Sequence, residues 1–142
     1  VSLTTDIIVG FPGETDKDFE ETLKVIREGK FDAVYMFKFS PRPGTKANYM
    51  EDDFVEKAII DSRFMELKHL QTEISHQRYK RFIGTHQDLL VEKYSKKTDE
   101  FLSGKIDGGQ TTHISSEHVE IGDFIKVKIT DATPFALTAV LV

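Results

Sequence analysis

The chain has 142 residues, of which 39% are apolar and 30% charged, with a formal net charge of -5 and no cysteine. That is the size of one domain or of two small pieces, and the composition of an ordinary globular protein. The acid excess argues against a globally basic nucleic-acid binder, although a local patch escapes such a sum, and the missing cysteines exclude a disulfide framework, a thiolate metal site and a thiol nucleophile within this chain.

No apolar run approaches the roughly 20 residues needed to cross a bilayer, and no charged-then-apolar leader is present, so the expectation is a cytoplasmic protein with no membrane partner. The chain starts at Val1 rather than at a methionine and stops inside a strand-like run, so it reads as a fragment.

The first element is an apolar run, Ile7-Ile8-Val9, that breaks at Gly10 and Gly13 around Pro12. Three apolar residues in succession predict a parallel strand covered on both faces, since a strand with one wet face alternates. The two glycines let the backbone turn and approach a ligand closely, and in α/β folds such loops carry ligands at the C-terminal ends of strands. Spacing alone leaves a plain tight turn equally open. Gly10-x-x-Gly13 lacks the Lys-Ser/Thr of a P-loop and the third glycine of a dinucleotide fingerprint.

Thr15 is the predicted N-cap of a helix to about Glu28, with Asp16 and Asp18 at its positive end, Phe19, Leu23 and Ile26 on its apolar face, and Gly29 as its stop. Residues 32–39 are β-branched and aromatic and predict the next strand, which completes a βαβ unit. Ser40-Pro41-Arg42-Pro43-Gly44-Thr45 follows it. Two prolines hold Arg42 in a stiff loop, where its guanidinium beside the Ser40 and Thr45 hydroxyls suits a carboxylate or phosphate, or a surface salt bridge.

A long connecting helix is predicted from Asp52 to about Arg81, capped by Asp52 and Asp53, with Phe54, Ala58, Met65, Leu70 and Ile74 on its buried stripe and Ile59, Leu67 and Phe82 widening it. Arg78, Lys80 and Arg81 at its end fit either the helix dipole or an RNA footprint. His69 and His76 have no third ligand at metal spacing, and His86, His113 and His118 fall on separate elements.

Beyond Gly84 the texture turns to short alternating strands, expected at about 86–94, 99–106, 111–116, 123–131 and 135–142. Ile125, Val127 and Ile129 alternate with Lys126, Lys128 and Thr130, apolar inward. Five strands in so short a span predict a small OB-like barrel, a type that binds single-stranded nucleic acid through basic grooves and aromatic platforms. Residues 83–142 hold six lysines against nine acids, a net of -3, so any RNA surface has to be local. The candidates are Lys93, Lys96, Lys97 and Lys105, with Tyr94 and Phe101 either stacking partners or, as the size of the barrel favours, core.

Thr5-Asp6-Ile7-Ile8-Val9-Gly10-Phe11-Pro12-Gly13-Glu14-Thr15, followed by Tyr35-Met36-Phe37-Lys38-Phe39-Ser40-Pro41-Arg42-Pro43-Gly44-Thr45, resembles the last part of the radical S-adenosylmethionine core of the methylthiotransferases. The remainder resembles their C-terminal TRAM domain, through Leu90-Val91-Glu92 before Ser95-Lys96-Lys97 and Ile121-Gly122-Asp123 before Val127-Lys128-Ile129-Thr130. The resemblance implies an α/β plus all-β chain: the last βαβ portion of a partial TIM barrel with its connecting helix over 1–82, and a five-stranded RNA-binding barrel over 83–142.

Arg42 in its loop, with Ser95-Lys96-Lys97, resembles the tRNA-modifying MiaB type, which methylthiolates C2 of N6-isopentenyladenosine beside the anticodon through a 5′-deoxyadenosyl radical. The sister enzyme for threonylcarbamoyladenosine, or a non-catalytic RNA-binding module, are the alternatives. The resemblance implies S-adenosylmethionine and two [4Fe-4S] clusters in the full-length protein. The cluster cysteines are absent from this chain, which should bind no cofactor and be inactive alone. It implies further that Asp6, Ile8 and Gly10 wall the cofactor pocket, that Ser40 and Arg42 touch cofactor or substrate, that Lys93, Lys96, Lys97 and Lys105 grip the tRNA anticodon stem-loop, and that the protein is a monomer. Gly104-Lys105-Ile106 departs from the family's Gly-Arg-Thr and loses the arginine fork.

Overall fold

The computed structural model describes residues 1–95, 101–115 and 117–142. They form two compact units, residues 3–74 and residues 75–142 together with Val1 and Ser2.

In the first unit, β1 (Thr4–Val9) and β2 (Ala33–Lys38) pair in parallel with Ile8 opposite Phe37, and helix α1 (Asp16–Gly29) connects them. Ile7, Val9, Val34 and Met36 join Phe19, Leu23 and Ile26 of α1 in one core. The expectation of two covered faces for β1 is not met: Val9 is 1% exposed and Ile8 is 52% exposed, so an uninterrupted apolar run here has one buried and one open side.

Helix α1 begins as the residues dictate. Thr15 accepts the Asp18 N–H, and Asp18 accepts from the Thr15 N–H and hydroxyl, a reciprocal capping box. Its end differs from the sequence reading: Gly29 stays helical and Lys30 takes the left-handed position at φ 45°. Gly29 has a packing reason instead, since a Cβ there would lie 2.5 Å from the Phe31 ring. The Thr15 hydrogen bonds, foremost its hydroxyl, hold the Asp18 carboxyl below the ordinary aspartate value. A lowered folded pKa contributes stability that is present above the ordinary value of 3.8 and is lost as pH falls through the lowered one. A carboxyl-shift titration should therefore find Asp18 titrating below 3.8 and rising toward it in Thr15→Val, which removes the hydroxyl but keeps the N–H bond; an unshifted Asp18 in the parent would refute the cap.

Helix α2 spans Lys57–Lys80 and begins five residues later than expected. Asp52 and Asp53 do not cap it; they lie in a short 3-10 turn, Glu51–Asp53. The Asp53 carbonyl accepts the Gly13 N–H at 2.8 Å, and Phe54 leaves extended with its ring edge-on to Phe39. Tertiary contacts thus hold this stretch out of the helix. The buried stripe also differs: Ile60, Arg63, Leu67, Gln71, Ser75 and Tyr79 face inward, while Ala58 and Met65 are exposed. Polar groups enter the core because each is bonded there, Arg63 to Glu14 and Asp16, Gln71 through its amide N–H to the Phe31 carbonyl.

The second unit is a closed barrel of β3 (His86–Tyr94), β4 (Phe101–Ile106), β5 (Thr111–Ser115), β6 (Phe124–Ala132) and β7 (Leu137–Leu141), ordered β3-β4-β5-β7-β6. The contact of β5 with β7 is parallel and the rest are antiparallel. Its core is aliphatic, including Leu89, Val91, Leu102, Ile114, Val127, Ile129 and Leu137, with Tyr79 of α2 as its aromatic member. Ile125, Val127 and Ile129 alternate with exposed lysines as the sequence requires. The expectation that Tyr94 and Phe101 are core is overturned: they are 55% and 39% exposed, because aliphatic side chains already fill so narrow a barrel. No helix among the described residues is long and apolar enough to cross a membrane.

Candidate functional site

The loop after β1 is tied down by its own chain. Gly10 takes φ +77°, and a Cβ there would lie 2.4 Å from Ile60 Cγ1, so the missing side chain admits α2. The Gly10 N–H donates to Glu14 Oε1 at 3.1 Å, the Glu14 N–H to the Phe11 carbonyl, and the Gly13 N–H to Asp53. Arg63, 7% exposed, donates through Nη1 to Glu14 Oε1 at 2.8 Å and to the Glu14 carbonyl at 3.1 Å, and through Nη2 to Asp16 Oδ1 at 2.7 Å. Burial works against its charge, but the bonds to Asp16 and Glu14 outweigh that and raise its pKa. These three amides are thus spent on structure, and the product is a tied-down loop that carries Phe11.

Phe11 stands edge-on to Phe39, and Phe39 to Phe54, each with ring centres 5.6 Å apart. Phe11 and Phe39, together with Ile8 and Phe37, wall a hollow of ≈ 530 Å³ at the C-terminal ends of β1 and β2, to which Ser40 and Arg42 add polar groups. That volume falls within the usual range of small-molecule sites. The Ser40–Thr45 loop is shaped by Thr45, whose N–H and hydroxyl both donate to the Arg42 carbonyl, and by Gly44 at φ 86°. The Thr45 hydroxyl therefore closes the turn. Arg42 is exposed, and among the described residues no carboxylate pairs with it. Lys38, also on the hollow, is held by Asp61 at 2.6 Å.

Of the residues nominated from sequence, Ile8, Ser40 and Arg42 come together in this hollow. Asp6 stands on the same open face, opposite Tyr35, and Gly10 faces Ile60. Phe11, Phe37, Phe39 and the Glu14–Arg63 clamp went unnominated. Their signal was present, because Arg63 falls in step with Ile60 and Leu67, four residues either way or less. On the barrel, Lys93 and Lys105 are exposed on β3 and β4, and Lys105 Nζ donates to Thr111 Oγ1 at 2.9 Å. Lys96 and Lys97 lie outside the described residues. The described residues contain no group of three His, Asp or Glu placed to hold a metal ion.

Comparison with known proteins adds two findings. The family model for the TRAM domain matches residues 80–142. Along nearly its whole length the chain is similar to proteins named tRNA-2-methylthio-N(6)-dimethylallyladenosine synthase. That of Corynebacterium jeikeium is 44% identical over 141 residues, 97% of this chain and 27% of the relative. That of Bacillus pumilus is 43% identical over 99% of this chain and 28% of the relative, and that of Clostridium botulinum 41% over 97% and 30%. The chain thus spans under a third of the length of the curated relatives it matches. With a strand-helix-strand unit ending in an aromatic hollow, a closed barrel matched by the TRAM model and this similarity end to end, the chain corresponds to the C-terminal part of these relatives.

Proposed function

We propose that this chain is the C-terminal part of an enzyme that places a methylthio group on C2 of N6-isopentenyladenosine, the dimethylallyl form in the relatives' names, beside the anticodon of tRNA. The observation that carries this is the 44% identity along 97% of the chain to a protein named for that product. The fold agrees with it: two parallel strands that turn Ile8, Tyr35 and Phe37 to an open side are what the inner face of a larger barrel needs.

S-adenosylmethionine, when bound, supplies the methyl group and the radical chemistry that the family implies. The hollow fits it, because Ile8, Phe11 and Phe37 offer apolar walls for the adenine, and Arg42, which no carboxylate pairs with among the described residues, offers a cation for the methionine carboxylate. Asp6 extends the same open face of β1, and Gly10 sets the turn that follows it. Two [4Fe-4S] clusters do not fit this chain, which has no thiolate to hold them, so their ligands belong to other parts of the full-length protein. Residues 83–142 grip the anticodon stem-loop through Lys93, Lys96, Lys97 and Lys105, and the enzyme is a cytoplasmic monomer.

The test is nucleoside analysis of tRNA from a strain lacking the parent gene, complemented with the full-length protein. The expected result is restored 2-methylthio-N6-isopentenyladenosine, reduced about 10–100-fold in initial rate by Arg42→Ala, the range for losing a charged hydrogen bond. Restoration of the threonylcarbamoyl product instead, or of neither, would refute the reading.

A further inference from the structure

The barrel carries a row of side chains across four strands that its core does not use. Phe124 of β6 lies opposite Leu90 of β3, Leu90 opposite Lys105 of β4, and Lys105 opposite Thr111 of β5. Register partners project to the same face, so the four form one line on the outside, roughly 15 Å across at the usual strand spacing. Phe124 is 70% exposed and Leu90 43%. The aliphatic core is complete without them, so folding does not account for a phenylalanine standing in water.

The charges along this line differ from those of the barrel as a whole. Phe101–Ile106 and Thr111–Ser115 contain no Asp or Glu, so the net acidity of the unit lies elsewhere. In the neighbouring row Lys126 is neutralised by Asp88 at 2.9 Å. The cation on the Phe124 line is Lys105, whose ammonium is oriented by the Thr111 hydroxyl. A flat ring, an apolar shelf and an oriented ammonium in sequence match a nucleotide, whose base offers a π-face and whose phosphate offers an anion.

Resting on the reading of the barrel as the tRNA-gripping part, we infer that this row is its RNA-contacting line: an unstacked base lies on Phe124 against Leu90, and the adjoining phosphate meets Lys105. Of the four residues only Phe124 and Leu90 are apolar, and the row ends in charge, which favours a nucleotide over a protein partner.

The experiment titrates the full chain with a labelled anticodon stem-loop RNA over a series of salt concentrations. Phe124→Ala should weaken binding about tenfold with the salt slope unchanged, since stacking is sequence-tolerant and uncharged, whereas Phe124→Tyr retains it. Lys105→Ala should lower the slope by about one. Phe135→Ala, a residue 71% exposed and off this row, is the control and should change nothing. If the parent binds and Phe124→Ala binds equally, or Phe135→Ala weakens binding as much, the row is not the RNA line while the tRNA reading stands. A parent with no binding at low salt removes the tRNA reading itself. If Phe124→Ala leaves RNA binding intact and abolishes a concentration-dependent dimer in sedimentation, the occupant is a second copy and the inference is wrong. Because Phe124 lies outside the core, an unchanged thermal melt certifies that the variant is folded.

Discussion

Arg63→Ala is expected to destabilise the protein by about 3–5 kcal/mol, the cost of breaking a buried ion pair by removing one partner. The Arg63 side chain is 8% exposed and that of Glu14 11%, so deletion leaves a carboxylate with little access to water that keeps its bond to the Gly10 N–H. It also forfeits the bond to the Glu14 carbonyl and the contact with the Phe19 ring at 5.7 Å. The two arms of the fork are unequal. Asp16 is 97% exposed, and a pair so wet contributes about 0–1 kcal/mol. Asp16→Asn should therefore be nearly silent. Urea denaturation read as a shift in midpoint distinguishes these; an Arg63→Ala loss below about 1 kcal/mol would mean that the clamp does not hold the loop. Phe11 depends on that loop, so the same variant should disorder one wall of the hollow.

Gly104→Ala is the second large effect. A Cβ at Gly104 would lie 1.9 Å from the Leu90 carbonyl oxygen and 3.0 Å from the Val91 Cα. Both are main chain in the facing strand, so no rotamer can make room, and β3 and β4 must part or slip. Overpacking costs about 1–3 kcal/mol where side chains can adjust, and more where they cannot, so a loss of about 3 kcal/mol or more is expected. For a domain of this size that is a fall in Tm of more than about 10 °C. Gly108→Ala supplies the contrast, because the Cβ there meets the end of the Gln110 side chain rather than main chain, so a smaller loss is expected. A Gly104→Ala barrel melting within about 3 °C of the parent would show that the strands are less tightly apposed than the structure has them.

Much of the fold was legible because it rests on local periodicity. Alternation in residues 124–132 states which side chains of β6 enter the barrel, and Thr15 with Asp18 states where α1 begins; neither needs a distant partner. What the amino-acid order could not convey depends on pairs far apart in the chain. The buried stripe of α2 contains Arg63 and Gln71, which a pattern of apolar residues places outside, and they turn inward because Glu14, Asp16 and the Phe31 carbonyl wait there. Asp52 and Asp53 have the chemistry of a cap, yet Gly13 and Phe39 hold them in a separate turn.

The candidate site divides the same way. Residue type and loop stiffness, which are local properties, brought forward Ser40, Arg42 and the lysines of the barrel, and the family resemblance brought forward Ile8. Only the tertiary structure set Phe11, Phe37 and Phe39 around them, and only strand register placed Phe124, Leu90 and Lys105 in one line. The physical reason is common to both: a side chain's chemistry is written at its own position, but what it faces is decided by backbone pairing and by which polar groups can be satisfied when remote segments meet.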